Sequence, residues 1–281
     1  NALSGDTLGS GSVAIGKGAL NVQNFTTATT TNNVAVGTAA GGNVTTGIHN
    51  TLIGATAGDA LTSGGSNTVL GRDALSADTL GSRAVAIGEA ALQVQNFTTA
   101  TEHYNVAIGY AAGGSVSTGI QNTLLGSLSG DALTDADFNT VLGYASLSTD
   151  TLGSKSTALG WATLNAQNFT TATDAHNTAV GFGAGFAVTT ASQSTLIGAL
   201  SGDALTSGHT NTALGYLTLS ADTLGTQSVA IGSGALQSQN FTTATTTYNT
   251  AVGVNAGAAI STGTNNTFVG SLAGDGTDDG L

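Results

Sequence analysis

Aspartate is the residue type in this sequence whose spacing most suggests chemistry. Eight of the 16 acidic residues fall into two columns that follow a 72-residue period: Asp6, Asp78, Asp150 and Asp222, and Asp59, Asp131, Asp203 and Asp275. Carboxylate oxygens are the ligands that Ca²⁺ prefers, so Asp59, Asp78, Asp131 and Asp150 are the candidates for a metal site. The alternative is that these residues cap turns and add negative charge for solubility. We favour this alternative and expect no metal and no cofactor, because the glycine–aspartate nonapeptide of calcium-binding β-rolls is absent.

Catalytic groups are sparse. Four histidines lie shortly before predicted strands and share no partner by sequence: His49, His103, His176 and His209. We expect them to be incidental loop residues. Serine occurs without a nucleophile-elbow sequence, and glycine-rich stretches such as residues 40–42 open no helix, so no phosphate loop is present. The chain has no cysteine, which excludes disulfides, thiolate metal sites and cysteine nucleophiles. We predict that the protein is not an enzyme.

Composition excludes further classes of protein. The 281 residues include 42 glycines and only four basic residues, and the net charge is −12. Four cations cannot neutralise a phosphate backbone, so we expect no nucleic-acid partner. No run of about 18 apolar residues occurs, so we expect no membrane insertion. The first residue is Asn rather than Met, and we expect a mature form or a part of a longer chain.

An internal repeat must position these side chains. A five-residue motif recurs fifteen times: Asn or Ser (Ala84 once), Val or Thr, an apolar residue, then Ile, Val or Leu, then Gly. Its glycines are Gly16, Gly37, Gly54, Gly71, Gly88, Gly109, Gly126, Gly143, Gly160, Gly181, Gly198, Gly215, Gly232, Gly253 and Gly270. Successive glycines are 21, 17, 17 and 17 positions apart, a pattern that sums to 72 and then starts again. We therefore divide one repeat domain, residues 1–281, into superrepeats 6–77, 78–149, 150–221 and 222–281. A 17-residue period without helix signals predicts an all-β parallel solenoid of fifteen rungs.

Each motif is predicted to form a short strand. The residues three and one before the glycine are Val or Thr and Ile, Val or Leu, and they share one strand face because side chains alternate. The residue between them is also apolar in every copy, for example Ala107 and Ala179. We assign this middle column to the outer face, where neighbouring chains would cover it; a second layer of the same coil is the alternative.

The residue that opens the motif is Asn in ten of the fifteen copies. Two interpretations remain open for it. Stacked Asn side chains can bond along a column, as in other stacked β structures, or each can form an Asx turn before its strand.

The 21-residue rungs each carry four extra residues within the sequence Asn-Phe-Thr-Thr-Ala-Thr. Loops on a rigid scaffold commonly bind partners, so this insertion is the candidate recognition site. Its leading residues are Asn24 and Phe25, Asn96 and Phe97, Asn168 and Phe169, and Asn240 and Phe241. The phenylalanines can either grip a receptor or fold back over the strands or a chain interface; we favour the second.

The motif resembles the head repeat of YadA-type trimeric autotransporter adhesins. Residues 12–16 and 228–232 read Ser-Val-Ala-Ile-Gly, and residues 105–109 read Asn-Val-Ala-Ile-Gly. The resemblance implies a left-handed parallel β-roll, a homotrimer, an extracellular location and a role in attachment; similar repeats occur in phage tail fibres. The longer rungs, the 72-residue superrepeat and the lack of a heptad stalk depart from that family.

Together these observations predict a non-enzymatic structural and adhesive segment of an extracellular fibre. Its partners would be copies of itself, as a homotrimer or end to end, and a host surface, a glycan or a matrix protein. Two alternatives are a bacteriophage tail-fibre or receptor-binding shaft, located on a virion, and a subunit of a self-assembling extracellular filament.

Overall fold

The protein was described from a computed structural model, which covers residues 1–276. Within these residues the secondary structure is entirely β, and no helix is available that could cross a membrane. The chain divides into two compact units, Asn1–Phe138 and Asn139–Leu281. The end of the superrepeat predicted at 222–281 lies outside the described residues.

The first unit contains seven three-residue strands in one parallel sheet. They are β2 (Val13–Ile15), β4 (Val34–Val36), β5 (Thr51–Ile53), β6 (Thr68–Leu70), β8 (Val85–Ile87), β10 (Val106–Ile108) and β11 (Thr123–Leu125). Two-residue strands form two further parallel pairs, β1 (Gly9–Ser10) with β3 (Thr29–Thr30) and β7 (Gly81–Ser82) with β9 (Thr101–Glu102).

The second unit repeats this organisation with eight three-residue strands. They are β12 (Thr140–Leu142), β14 (Thr157–Leu159), β16 (Thr178–Val180), β17 (Thr195–Ile197), β18 (Thr212–Leu214), β20 (Val229–Ile231), β22 (Thr250–Val252) and β23 (Thr267–Val269). Its two-residue pairs are β13 (Gly153–Ser154) with β15 (Thr173–Asp174) and β19 (Gly225–Thr226) with β21 (Thr245–Thr246).

Strand register follows the sequence repeat. Val106 pairs with Val85 on one side and with Thr123 on the other, so equivalent motif residues lie above one another. Every motif forms one strand, and each strand pairs in parallel with the strand of the next rung inside its unit. The predicted all-β parallel solenoid, of about fifteen turns with 17-residue repeats, is therefore confirmed.

The two faces of the strands are the reverse of the prediction. The middle column fills the interior: Ala107, Ala179 and Leu52 are completely buried. The flanking columns face outward, and Ile108 is 36% exposed and Ile15 59% exposed. Nine of the fifteen middle residues are Ala, because a thin coil has room at its centre for a small side chain on most rungs. The apolar surface that needs a cover is thus the column of Val, Thr, Ile and Leu.

The motif glycines allow neighbouring rungs to approach closely. Their φ angles lie between 120° and 148°, a region that residues with a side chain rarely adopt. A Cβ atom on Gly109 would lie 2.5 Å from the carbonyl group of Gly126 in the next rung. Both the conformation and the space therefore require glycine here.

A second left-handed position was not predicted. The residue five before the motif glycine has a positive φ in every rung, although it is glycine only at Gly11. The fourteen others include His49 (φ 59°), Tyr104 (φ 54°) and Lys155 (φ 62°). This residue makes the sharp corner before the strand, and the many hydrogen bonds between rungs impose a conformation that costs each such residue about 1 kcal/mol or more.

The motif Asn residues connect successive rungs through backbone groups. Asn50 is fully buried; its Oδ1 accepts a hydrogen bond from the backbone N–H of Asn67 (3.0 Å), and its Nδ2 donates to the carbonyl oxygen of Gly64 (3.0 Å). The Asn side chains thus bond along a column, as one of the two interpretations held, but mainly to the backbone rather than to each other. Each amide satisfies two buried groups that strand pairing leaves over.

We predict different costs for the same substitution at two motif glycines. Gly109→Ala must overcome both the positive φ and the contact with Gly126, and should lower the free energy of unfolding by about 2–4 kcal/mol. Gly270 has a φ of 122° but no described atom within 4 Å of an added Cβ, so Gly270→Ala should cost only about 1 kcal/mol. Thermal and urea denaturation of both variants would measure this; equal costs would contradict the close-approach argument.

Candidate functional site

The four extra residues of each long rung form an exposed loop. We call these segments, residues 26–29, 98–101, 170–173 and 242–245, the threonine loops. In the second of them, Thr98, Thr99 and Ala100 are exposed, and Thr101 enters strand β9. The predicted insertion is thus a surface feature, and it presents the same polar atoms in every superrepeat.

The residues leading into each loop are held firmly. The backbone N–H of Asn96 donates to Ser117 (2.9 Å), and the Thr79 hydroxyl lies 3.0 Å from Asn96 Oδ1 and from the carbonyl oxygen of Phe97. Asn24, Asn96 and Asn240 are exposed, and Asn168 is half-buried. The candidate phenylalanines Phe25, Phe97, Phe169 and Phe241 are only 6–7% exposed. Their rings are anchors, so any surface recognition by the loop falls to the Asn and Thr residues.

A buried polar network lies beneath each loop. Asp78 is fully buried; its Oδ1 accepts from the backbone N–H groups of Gly81 (3.0 Å) and Phe97 (3.1 Å), and its Oδ2 accepts from Gln95 Nε2 (2.8 Å). Gln95 Oε1 in turn accepts from Asn105 Nδ2 (2.9 Å). The network therefore ties the loop base to strands on two rungs, and a carboxylate with this many donors is stabilised in its buried position.

The candidate metal residues do not form a metal site in this arrangement. Asp150 has the same partners as Asp78, namely the N–H groups of Gly153 (3.1 Å) and Phe169 (3.0 Å) and the amide of Gln167. Their oxygens face protein donors rather than an open ligand position. Across residues 1–276, no group of three or more His, Asp or Glu is placed to hold a metal ion.

The other aspartate column differs in its surroundings. Asp59, Asp131 and Asp203 each have a buried Oδ1 without a hydrogen-bond partner among the described residues. Burial raises the pKa of all three carboxyls, and at Asp59 the nearby charge of Asp73 acts in the same direction. They lie one to a superrepeat, so no two of them form a pair at one site.

One histidine does not fit the expectation of an incidental loop residue. His49, His176 and His209 are exposed near rung corners, but His103 is completely buried and stacks on Phe97 at 5.1 Å between ring centroids. Its Nε2 lies 2.9 Å from Gln95 Nε2, and its Nδ1 accepts from the N–H of Asn105 at 3.2 Å. Burial lowers the pKa of His103 to about 4, and the charge of Asp78 opposes this shift only in part.

Equivalent positions in the other superrepeats show why His103 fits. In the first and last superrepeats this position is Thr31 or Thr247, whose hydroxyl bonds to Ser12 or Ser228. The serine position in the second superrepeat is Ala84, which leaves space for the imidazole. The signal in the sequence was a coupled exchange between these two positions, Ser with Thr against Ala with His.

The arrangement supports binding through repeated exposed loops rather than bond-making chemistry. The polar groups with perturbed surroundings are buried under the loops, where they hold the backbone. Comparison of the chain with protein-family models, with curated proteins and with solved structures gives no match. The class that the fold itself defines is a repeat protein of the β-solenoid type.

We predict a loss of stability in mild acid that depends on His103. The unfolded chain binds a proton near the ordinary histidine pKa of 6.5, whereas the folded chain binds it only near pH 4. The free energy of unfolding therefore decreases as the pH falls from 6.5 to 4, by about 3 kcal/mol in total. Urea denaturation at intervals of pH would measure the slope.

The matched control for this prediction is the double variant Ala84→Ser/His103→Thr, which restores the pair found at Ser228 and Thr247, whose oxygens lie 2.6 Å apart. It should fold and should lose the His103 part of the slope. An unchanged slope in this variant would assign the pH dependence to other groups.

Proposed function

We propose that this chain is a structural and adhesive segment of an extracellular fibre, without enzymatic activity. The observation that carries the proposal is an outward sheet face that remains apolar on rung after rung. Exposed residues of this face include Ile15 (59%), Leu70 (46%) and Ile108 (36%) in the first unit and Leu142 (47%) and Leu214 (43%) in the second. A contiguous apolar surface of this kind is typical of a protein–protein interface.

The cover for this face is, in our proposal, other copies of the same chain, as a homotrimer. Every rung offers the same two columns, one of Val or Thr and one of Ile, Val or Leu. A surface that repeats every rung is complementary to another copy of itself in register. The number three comes from the resemblance of the motif to the head repeats of trimeric autotransporter adhesins.

Attachment, in our proposal, is the role of the threonine loops. Four rungs separate successive loops, which places them about 19 Å apart along a unit at the usual strand spacing of about 4.8 Å. A weak contact repeated at fixed intervals gains strength through effective concentration. The net charge of −12 disfavours an anionic partner, which leaves neutral glycans, matrix proteins and host surfaces.

We predict that charges on the outward face separate the copies. The parent protein should sediment with three times the chain mass of 27.2 kDa. Ile108→Glu/Leu214→Glu should weaken association at least tenfold, because buried like charges repel, while circular dichroism stays unchanged. Val22→Glu/Val94→Glu is the control, since both residues are exposed (39% and 50%) but lie outside the strands. A parent protein that sediments as a single chain at micromolar concentration would refute the trimer.

A second prediction concerns the loops. Beads coated with the protein should be retained under flow on a cell monolayer or on a surface of extracted extracellular matrix. Deleting residues 26–29, 98–101, 170–173 and 242–245, which converts each long rung to a short one, should reduce retention at least tenfold. Deleting one loop should reduce it by much less.

Folding must be controlled in this experiment. A full-length variant with Glu in place of Thr26, Thr98, Thr170 and Thr242, which are all exposed, keeps the rung length and should also lose retention. If both variants stay folded and are retained like the parent protein, recognition does not reside in the loops.

A further inference from the structure

A column of exposed aromatic side chains follows the strands of the second unit. The position directly after the motif glycine is Tyr144, Trp161 and Phe182 in three successive rungs and, after Ala199, Tyr216 in the fifth. We call these four aromatic residues the aromatic ladder. They are 51%, 47%, 55% and 54% exposed. The rings of Trp161 and Phe182 are stacked, with their centroids 4.7 Å apart and an angle of 9° between their planes.

The same column in the first unit shows that this position is hydrated. It holds Lys17, Arg72 and Glu89 there, and the side chains of Arg72 and Glu89 are 59% and 46% exposed and form an ion pair. Charged residues of this kind are almost never buried at an interface core. The column therefore lies beside the apolar sheet face without being part of the proposed contact between copies, and the aromatic rings remain open to a different ligand.

The chemistry of the ladder selects the class of this ligand. Aromatic rings offer apolar faces, and Trp161 and the tyrosines add polar edges. Among the described residues, no hydrogen bond is formed by the side chains of Tyr144, Trp161 or Tyr216. A sugar ring has the complementary pattern, a C–H face bordered by hydroxyl groups. The unit contains one basic residue, Lys155, which is paired with Asp174, so an anionic sugar has no counter-charge here.

The missing ring at Ala199 supplies a defined seat. At the strand spacing of about 4.8 Å per rung, a ring placed over Ala199 would lie one such spacing from the rungs of Phe182 and Tyr216. That distance matches the 4.7 Å between Trp161 and Phe182. One ring-shaped group can therefore take the vacant place in the ladder.

We propose that the aromatic ladder binds a neutral glycan, with one sugar ring seated over Ala199 between Phe182 and Tyr216. This inference rests on the proposed attachment function and names a ligand class for it, at a surface separate from the threonine loops. The single Trp of the chain lies in the ladder next to the seat.

Because Trp161 is the only tryptophan, its fluorescence reports binding directly. The full chain would be titrated with four neutral hexasaccharides, of β-1,4-glucose, β-1,4-mannose, α-1,4-glucose and β-1,4-N-acetylglucosamine, and with an anionic hexagalacturonate. We expect at least one neutral sugar to change the emission with a Kd of about 1 mM or lower, and hexagalacturonate to leave it unchanged. No change with any neutral sugar up to about ten times that concentration would overturn the proposal.

Two variants locate the site. Ala199→Phe fills the seat with a residue that the column already contains, and Phe182→Ala removes one wall; each should weaken binding at least tenfold. Tyr110→Ala is the matched control, because Tyr110 occupies the same column and is 56% exposed but has Glu89 and Ser127 as its neighbours there. Binding that survives Ala199→Phe, or Trp161 emission that changes with protein concentration instead of sugar, would overturn the proposal; the latter would mean that copies of the chain cover the ladder.

The protein without its threonine loops separates this inference from the proposed function. It should still bind the sugar. If it does so but the parent protein is not retained on any surface, the adhesive function fails and the glycan site stands. If retention persists and the sugar does not bind, only the glycan site fails.

Discussion

The close approach of backbone to backbone at the motif glycine is the constraint on which the rest of the structure depends. A Cβ atom on Gly54 would lie 2.4 Å from the carbonyl oxygen of Gly71, and one on Gly88 would lie 2.3 Å from that of Gly109. With no side chain at these points, each rung lies directly on the next, and all equivalent residues fall into columns. The buried Asn column, the apolar outer face and the aromatic ladder are all results of this alignment.

Alignment in columns also decides how buried polar groups are satisfied. A rung is too thin to surround a carboxylate or an amide by itself, so each buried side chain takes its partners from the rungs above and below. Asp78 does this with Gln95 and Phe97, and Asn105 does it with Gly119. Stability is therefore shared between neighbours, as in other solenoids, where a single turn cannot exist alone.

The sequence alone was sufficient to predict the solenoid, its rungs and its insertions, because a repeat this short leaves few other ways to bury the apolar columns of every motif. It was not sufficient to decide which strand face is the interior. Ala and Ile alternate in motif after motif, and the rule of alternation applies equally to both orientations; only the small volume of the coil settles the matter. His103 was missed for a similar reason, since its burial depends on the space beside Ala84, which belongs to the preceding rung.

The coupled exchange beneath the threonine loops has an evolutionary consequence. The partners that must change together, Ala84 with His103 and Ser228 with Thr247, are close in sequence and lie well within one 72-residue superrepeat. Unequal recombination that adds or removes whole superrepeats therefore keeps every such pair together. A gene built in this way can change the length of its product in steps of four rungs while each polar cluster stays complete.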